Sequence, residues 1–309
     1  MVSTNGIKLE ANITVSSDDN GNNTGGDIDL DQADINGAQS LAITAGNGDV
    51  SLRDVGQTTR VTSLTVDSDG TTTLNGSDIS ATNNVDFSLA TNVDLNTGLN
   101  IDSTSGNILL TGGAVDGAVS VNLTALNGTV SLDEFGQSAA TPFNTLTINS
   151  RITRLLGDGT VNGDIDLTST SEIDVFGVIR ANQGGEVNVL VTDADNGRFA
   201  LETGSAIFTD GGDINLNVPF NNLITRGDLF GADQGFEFLN LSGVASFDFD
   251  AEELGFGLIP GLLSAPIGLP IDQNFIIDDS LQWKNAILPS VIRAEKTSVT
   301  FEDDEDDWQ

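Results

Sequence analysis

The chain of 309 residues contains no cysteine, no histidine and no tyrosine. The absence of cysteine excludes a disulfide framework and thiol chemistry. The absence of histidine and tyrosine excludes Ser-His-Asp and Cys-His catalysis, His-ligated zinc and a tyrosine general acid. Any catalytic chemistry would therefore have to rest on carboxylates.

Basic residues are scarce, with 11 lysines and arginines against 46 acidic residues and a formal net charge of −35. A surface of this charge repels the phosphates of nucleic acids and anionic membrane surfaces. We therefore expect that no nucleic acid is a partner and that anionic membrane surfaces are disfavoured.

Aromatic residues make up only 6% of the chain, whereas there are 35 glycines and hydrophobic residues reach 38%. Asn, Asp, Ser and Thr fill the spaces between Val, Ile and Leu. This mixture favours many short strands separated by turns, and the hydrophobic content is adequate for a real core.

A short phrase of Gly, a small polar residue, Ile or Val, any residue, and Leu or Val returns along the chain. It begins at Gly26, Gly48, Gly70, Gly106, Gly128, Gly163, Gly185 and Gly212. Most of the gaps equal the one from Gly26 to Gly48, and the gaps after Gly70 and Gly128 are longer. The second strand of a unit recurs at a slightly longer spacing, Leu41 at Leu64 and Val121 at Leu146, which is interpreted as insertions between strands. The alternation of apolar residues predicts a strand, and the glycine predicts a corner with positive φ.

A repeat unit of about 22 residues without helical periodicity is too short for a propeller blade and unsuited to a helical repeat. We therefore predict an all-β, right-handed parallel β-helix (β-solenoid) with about 22 residues per coil. Equivalent residues should stack in columns, with Ile28 under Val50 and Thr72, and Leu41 under Leu64.

Two longer stretches are nearly the same, NGDVSLRDVGQ at residues 47–57 and NGTVSLDEFGQ at residues 127–137. The correspondence holds without a gap when Gly26 to Gln57 is aligned with Gly106 to Gln137. This pattern predicts β-helix repeats over residues 1–218, in which a block of about four coils is duplicated as 26–105 and 106–185. Apolar positions and glycines are preserved between the copies, whereas Arg53 corresponds to Asp133.

Regularity fades after Val218, so residues 219–271 are predicted to form an irregular β region and cap. An open β-helix end needs such a cap because its unpaired backbone groups would otherwise template aggregation. Residues 254–271 carry no charge, but Pro260, Pro266 and Pro270 argue against a membrane-spanning helix there. Residues 272–309 are predicted to be a C-terminal segment with a solvated acidic tail.

The phrases GGDIDL, NGDVSL, SGNILL and GGDINLNV resemble the repeat region of filamentous haemagglutinin-like exoproteins, the secreted passengers of bacterial two-partner secretion. The resemblance covers roughly residues 25–218. It implies export across a Gram-negative envelope by an outer-membrane transporter, and a role in attachment, aggregation or biofilm. It also implies a partner on a host or neighbouring cell surface, a glycan or a matrix. The family's amino-terminal secretion domain and a signal peptide are not evident, so we expect a C-terminal fragment of a larger protein.

Paired carboxylates are the remaining candidates for catalysis. Asp27 with Asp29, and Asp164 with Asp166, could lie together on one face, as aspartate pairs do in β-helix polysaccharide hydrolases. They also recur as part of the fold phrase and have no nearby aromatic platform for a sugar. We therefore assign no catalytic residue and predict that the chain is not an enzyme.

Two further motifs carry weaker hypotheses. Asp67 and Asp69, and also Asp193 and Asp195, place oxygen ligands in turns, but neither pair fits an EF-hand loop. No cofactor is expected, with a weak Ca²⁺ site at these four residues as the alternative. Arg226, Gly227 and Asp228 spell the integrin-binding tripeptide and form a candidate adhesion motif.

The function predicted from these observations is a structural or adhesive rod segment of a secreted, cell-surface bacterial exoprotein. A carbohydrate-active β-helix enzyme is the first alternative, and it should show a groove with clustered acids and aromatics. A phage tail-spike or fibre stalk is the second, and it should trimerise.

Overall fold

Each repeated phrase forms a short strand that pairs in parallel with an equivalent strand one turn away. The computed structural model describes residues 6–18, 23–138 and 141–218, together with four strands between residues 223 and 249. These residues are all-β without a helix, and their parallel sheets stack in turns of about 22 residues into a β-solenoid of about 8 turns. The parallel β-solenoid predicted from the repeat is thus confirmed.

The strands follow one another closely, and several of them bend around a corner of the coil. In chain order they are β1 (Ile7–Lys8), β2 (Ile13–Ser16), β3 (Ile28–Leu30), β4 (Ile35–Asn36), β5 (Ser40–Gly46), β6 (Val50–Leu52), β7 (Ser63–Leu74), β8 (Asp78–Ala81), β9 (Val85–Leu95), β10 (Leu99–Ser103), β11 (Ile108–Leu110), β12 (Ala114–Asp116), β13 (Ser120–Leu132), β14 (Thr145–Leu155), β15 (Gly159–Val161), β16 (Ile165–Val175), β17 (Val178–Ala181), β18 (Val187–Val191), β19 (Arg198–Leu201), β20 (Ala206–Thr209), β21 (Ile214–Asn217), β22 (Leu223–Thr225), β23 (Asp228–Gly231), β24 (Leu239–Ser242) and β25 (Asp248–Phe249).

Three faces make up each turn, and each face has a column of stacked inward residues. The face 1 column is Ile28, Val50, Thr72, Val93, Val115, Phe135, Gly159, Ile179 and Ile207. The face 2 column is Ile7, Ile35, Val55, Ile79, Ile101, Leu123, Ile148, Leu167, Val189 and Leu216. The face 3 column is Ile13, Leu41, Leu64, Val85, Ile108, Val130, Thr153, Ile173 and Phe199.

These columns are the hydrophobic core. Their apolar members are almost completely buried, except Ile7 and Ile13 in the first turn, which are each 40% exposed. The predicted stacking of Ile28, Val50 and Thr72, and of Leu41 on Leu64, is confirmed. Successive turns bury apolar side chains on one another, so each turn stabilises the next.

The long gaps between phrases are not insertions. The phrase lies on face 1 at Gly26, Gly48 and Gly70, on face 3 at Gly106 and Gly128, and on face 2 at Gly163, Gly185 and Gly212. Across each long gap, after Gly70 and after Gly128, the chain completes one full turn and then passes two further faces. The phrase therefore moves to another face at each of these two gaps.

The duplicated block follows the same rule. Val50 belongs to face 1, whereas its equivalent Val130 belongs to face 3. The residue that lies four full turns after Ile28 on face 1 is Val115. The offset between the two copies instead takes Ile28 to Ile108, which is one face earlier. The two copies are therefore rotated by one face about the solenoid axis. One stretch of sequence serves on different faces because each face requires the same inward alternation.

Contact rather than positive φ explains the corner glycines, except Gly26, where an added Cβ would meet nothing within 4 Å. A Cβ on Gly48 would lie 2.2 Å from the carbonyl oxygen of Gly26, and one on Gly128 would lie 1.8 Å from that of Gly106. None of the glycines that begin the phrase has a positive φ, so that expectation was wrong. Positive φ occurs instead at the later glycines of the duplicated stretch, Gly56 (φ 76°) and Gly136 (φ 59°).

Parallel pairing continues beyond Val218. Strands β22, β23, β24 and β25 each pair in parallel with a strand of the preceding turn. The rest of the predicted cap in 219–271 and the acidic segment 272–309 lie outside the described residues. In the described part of the chain, no helix is long and apolar enough to cross a membrane.

Candidate functional site

The aspartates that were considered for catalysis support the backbone of the next turn. Asp27 Oδ1 accepts a hydrogen bond from the Asp49 amide at 3.0 Å, and Asp164 Oδ1 accepts one from the Glu186 amide at 2.9 Å. Both carboxylates occupy the small polar position after the corner glycine. Their position in the repeat is explained by this role as acceptors, because an amide at a corner needs a partner outside the strand ladder.

The second aspartate of each pair also has a local partner. Asp29 Oδ1 accepts a hydrogen bond from the Asp31 amide at 3.1 Å, and Asp166 Oδ1 accepts one from the Asn188 side chain at 2.9 Å. Asn188 in turn accepts a hydrogen bond from Asn215 at 2.7 Å. The outward polar residues on face 2 thus form a ladder of side chains along the rod.

The calcium candidates lie at two separate turns. Asp69 accepts a hydrogen bond from the side chain of Asn23, and the pKa of Asp67 is raised by burial and by the charges of Asp69 and Asp18. Asp193 Oδ1 accepts hydrogen bonds from the amides of Asp195 (3.0 Å) and Asn196 (3.1 Å). Within the described residues, no three or more Asp, Glu, His or Cys side chains are grouped to hold a metal ion.

The candidate adhesion tripeptide is largely outside the described residues. Arg226 and Gly227 are not described, and Asp228 contributes only the backbone that begins β23 and pairs with Ala206. The structure therefore gives no geometry for this motif.

The strongest coupling between titratable groups joins Glu172 and Asp174 on face 3 to two arginines. Arg198 contacts Glu172 and also donates to Asp174 Oδ1 at 2.7 Å. Arg154 lies 3.8 Å from Asp174 Oδ2. Burial, followed by the charge of Glu172, raises the pKa of Asp174 to about 6, although both arginines oppose the shift.

The arginines of this network block access of a substrate to its carboxyl groups. Two nearby carboxyls, one of them with a raised pKa, could in principle serve as acid and base. However, the Asp174 side chain is only 4% exposed, and an arginine faces each of its oxygens. A substrate would have to displace both arginines, so we interpret the network as a link between three successive turns.

A different surface combines exposed apolar side chains with an arginine that has no acidic partner among the described residues. In the connection from β16 to β17 and along β17, Phe176, Val178 and Arg180 point outward while Gly177 and Ile179 are buried. We call the surface formed by Leu156, Phe176, Val178, Arg180 and Phe208 the Phe176 patch. It lies at the corner between face 3 and face 1 and continues onto face 1.

Backbone hydrogen bonds between successive turns determine which residues of this patch are neighbours. The Phe176 amide donates to the carbonyl of Leu155 at 2.8 Å, which places Phe176 one turn above Leu156. Leu156 is 40% exposed and Phe176 is 44% exposed. The Val178 amide donates to Asp158 Oδ1 at 2.8 Å. The two exposed apolar side chains are therefore neighbours along the rod, about 4.8 Å apart in rise.

Arg180 is held by an aromatic ring. Its guanidinium lies 4.3 Å from the centroid of Phe208, its neighbour in the next turn, which is a cation–π geometry. Most other described arginines form ion pairs: Arg53, Arg60, Arg154 and Arg198. Among the described residues, Arg180 and Arg151 are the exposed arginines without an ion pair, and Arg180 is the one that lies over an aromatic ring.

Sequence reasoning did not single out the Phe176 patch. The outward residues belong to different turns, from Leu156 to Phe208, and they come together only through the register. A usable signal is present in VFGVIRA, residues 175–181, where an aromatic residue and an arginine occupy outward positions that carry Asp, Asn, Ser or Thr in most other turns.

Comparisons with known proteins do not add a relative: no family model, no curated protein and no solved structure matches the chain. The function is therefore argued from the solenoid and its surface.

Proposed function

We propose that the chain is a structural and adhesive rod segment of a secreted bacterial surface protein. The observation that supports this most directly is the continuity of the three core columns through the described turns. Eight turns stacked about 4.8 Å apart give a rod about 40 Å long. Such a rod holds a long outer surface at a fixed spacing, which suits attachment at a distance from the cell.

The outer surface supports a binding role better than a catalytic one. In the described turns, the acidic pairs accept hydrogen bonds from neighbouring backbone or side chains, and the Glu172–Asp174 pair is covered by arginines. A carbohydrate-active enzyme would need accessible acids beside an aromatic platform. One turn above the exposed Phe176 of the patch lies the single acid Glu202 rather than a pair of acids, and Val178 and Arg180 follow Phe176 along the chain.

The proposal includes export to the surface of a Gram-negative bacterium through an outer-membrane transporter. Each turn of a solenoid contacts mainly its immediate neighbours, so the chain can fold turn by turn as it leaves a pore. The absence of cysteine is compatible with this route because folding needs no disulfide formation.

Deletion of one turn tests the rod. Removing residues 108–129 joins Asn107 to Val130, the register equivalent of Ile108. We expect this variant to remain folded and to be shorter by about 4.8 Å in small-angle scattering. As a control, deletion of residues 108–128 joins Asn107 to Thr129, which puts an outward residue at the inward position of Ile108. This shift of the alternation should unfold the turns on either side.

Attachment is then measured with the intact chain and the one-turn deletion, each coupled to beads and exposed to bacterial and host cell surfaces. We expect both proteins to promote attachment above beads coated with an unrelated acidic protein. Lack of attachment, or release of sugars from a polysaccharide by the purified chain, would contradict the proposal.

A further inference from the structure

We infer that the Phe176 patch binds a glycan that ends in a single carboxylate-bearing sugar. This inference rests on the proposed adhesive function and names the ligand class and the residues. The patch offers an apolar platform and one exposed cation side by side on the outer surface of the rod. An extended ligand can therefore lie across it.

The apolar part of the patch matches the C–H face of a sugar ring. Phe176 and Leu156 expose their side chains one turn apart, and Val178 continues the apolar surface along the strand. An aromatic ring that remains 44% exposed loses contact with water when a sugar ring covers it. The solenoid backbone fixes this platform before binding, so little ordering entropy is lost.

The charged part of the patch matches one carboxylate. A guanidinium can donate two parallel hydrogen bonds to a carboxylate, and this geometry is more selective than a point charge. Phe208 supports the Arg180 guanidinium from the next turn. Asp158 of the preceding turn accepts the Val178 amide through Oδ1, and Glu202 lies one turn above Phe176. Arg180 has no ion pair in the described region, so binding would not have to break one.

The charge of the whole chain limits the ligand further. A formal net charge of −35 repels a polymer that carries a negative charge on every sugar. A mostly neutral glycan with one terminal carboxylate avoids this repulsion and still pairs with Arg180. We therefore favour a glycan with an isolated acidic end over a polyuronate.

The test measures binding of the full chain to a trisaccharide with a terminal sialic acid by saturation-transfer NMR. Comparison ligands are the same trisaccharide with its carboxylate converted to a methyl ester, and lactose. Arg180→Gln and Phe176→Ala should each weaken binding about tenfold to a hundredfold, since each removes one of the two contacts. The methyl ester should weaken binding of the unmodified protein by a similar factor.

Matched controls use residues of the same type elsewhere on the rod. Arg53→Gln removes an arginine that is paired with Asp34, and Leu89→Ala removes a leucine that is 57% exposed in an earlier turn. Neither change should alter binding. Circular dichroism melting of all four variants identifies any loss of binding that comes from unfolding.

The outcomes separate this inference from the proposed function. The inference is overturned if the trisaccharide does not bind, if the patch variants bind it as well as the unmodified protein, or if the ester binds equally. Preferential binding of a polyuronate or an acidic peptide, or self-association in light scattering that depends on Arg180, also overturns it. Attachment of the coated beads that survives Arg180→Gln and Phe176→Ala would leave the adhesive rod in place without this site.

Discussion

A Cβ atom on Gly159 would lie only 1.9 Å from the Cζ atom of Phe135, the residue one turn below it in the face 1 column. Phe135 is fully buried and stacks on Phe143 with a centroid distance of 5.6 Å. The other members of this column are mostly Val and Ile. The large ring in one turn is therefore accommodated by the missing side chain in the next.

Gly159→Ala should destabilise the solenoid by about 2 kcal/mol, because the added methyl group must displace a buried ring. The measurement is urea unfolding followed by circular dichroism. In the Phe135→Leu background, Gly159→Ala should lower the free energy of unfolding by much less, since the ring that the methyl group meets is gone. Equal costs in both backgrounds would show that Gly159 is required for another reason.

A second prediction concerns Thr72, which is fully buried between Val50 and Val93 in the face 1 column. Its hydroxyl oxygen has no hydrogen-bond partner in the described structure. Thr72→Val replaces this hydroxyl by a methyl group of similar size and should stabilise the fold by about 1 kcal/mol. A rise in the thermal midpoint is the expected measurement.

Thr153→Val is the matched control, because Thr153 is also fully buried. Its hydroxyl forms a closed ring with Ser150 (2.8 Å) and Ser169 (2.7 Å), which are 2.9 Å from each other. Removing Thr153 takes one of two partners from each buried serine, so a loss of about 1–2 kcal/mol is expected. Stabilisation by both valines would contradict this argument.

The columns could be predicted from the sequence, but the faces could not. Ile28 stacks on Val50 and Leu41 stacks on Leu64, as the repeat length predicts, because a parallel coil of nearly constant length fixes the register. The same alternation satisfies all three faces, so the phrase does not reveal which face it occupies. The face changes after Gly70 and Gly128 could therefore not be predicted from the phrase.

The candidate site was less predictable, because its chemistry depends on neighbours in other turns. Arg198 meets Glu172 and Asp174 from the next turn, and Arg180 likewise meets Phe208 across one turn. Each pair follows from the register once it is known. The aspartates of the repeated phrase were candidates because their spacing can be recognised in the sequence. That spacing reflects the hydrogen bonds that they accept from the backbone of the next turn.

A third prediction tests that backbone role at Asp49. Its Oδ1 accepts the Thr71 amide at 2.8 Å, while its own amide donates to Asp27. Asp49→Ala should cost about 1 kcal/mol because the corner amide loses its acceptor. Asp49→Asn should be neutral or slightly stabilising in urea unfolding, since the amide oxygen can still accept. Asn107 already fills the equivalent role by accepting the Thr129 amide at 2.8 Å.

The last prediction concerns pH. Because the pKa of Asp174 is raised from 3.8 to about 6, the folded state holds this proton more tightly than the unfolded chain does. Its contribution to the free energy of unfolding is therefore fully present below about pH 4 and is lost as the pH rises to about 6. Asp174→Asn removes this loss. Relative to the unmodified protein, the variant should gain about 1–2 kcal/mol between pH 4 and pH 7.

Asp78→Asn provides a control of opposite sign. The hydrogen bond from Ser77 is the main cause that lowers the pKa of Asp78, so this carboxylate stabilises the fold above its unfolded pKa. That contribution is lost as the pH falls through the lowered value. Because that value lies below 3.8, Asp78→Asn is compared in urea unfolding between about pH 2 and pH 4, where it should gain relative to the unmodified protein as the pH falls. Asp174→Asn should instead gain as the pH rises from about 4 to about 7. A shift of the same sign in both would mean that the ionised form of Asp174 is favoured by Arg154 and Arg198 rather than opposed by burial.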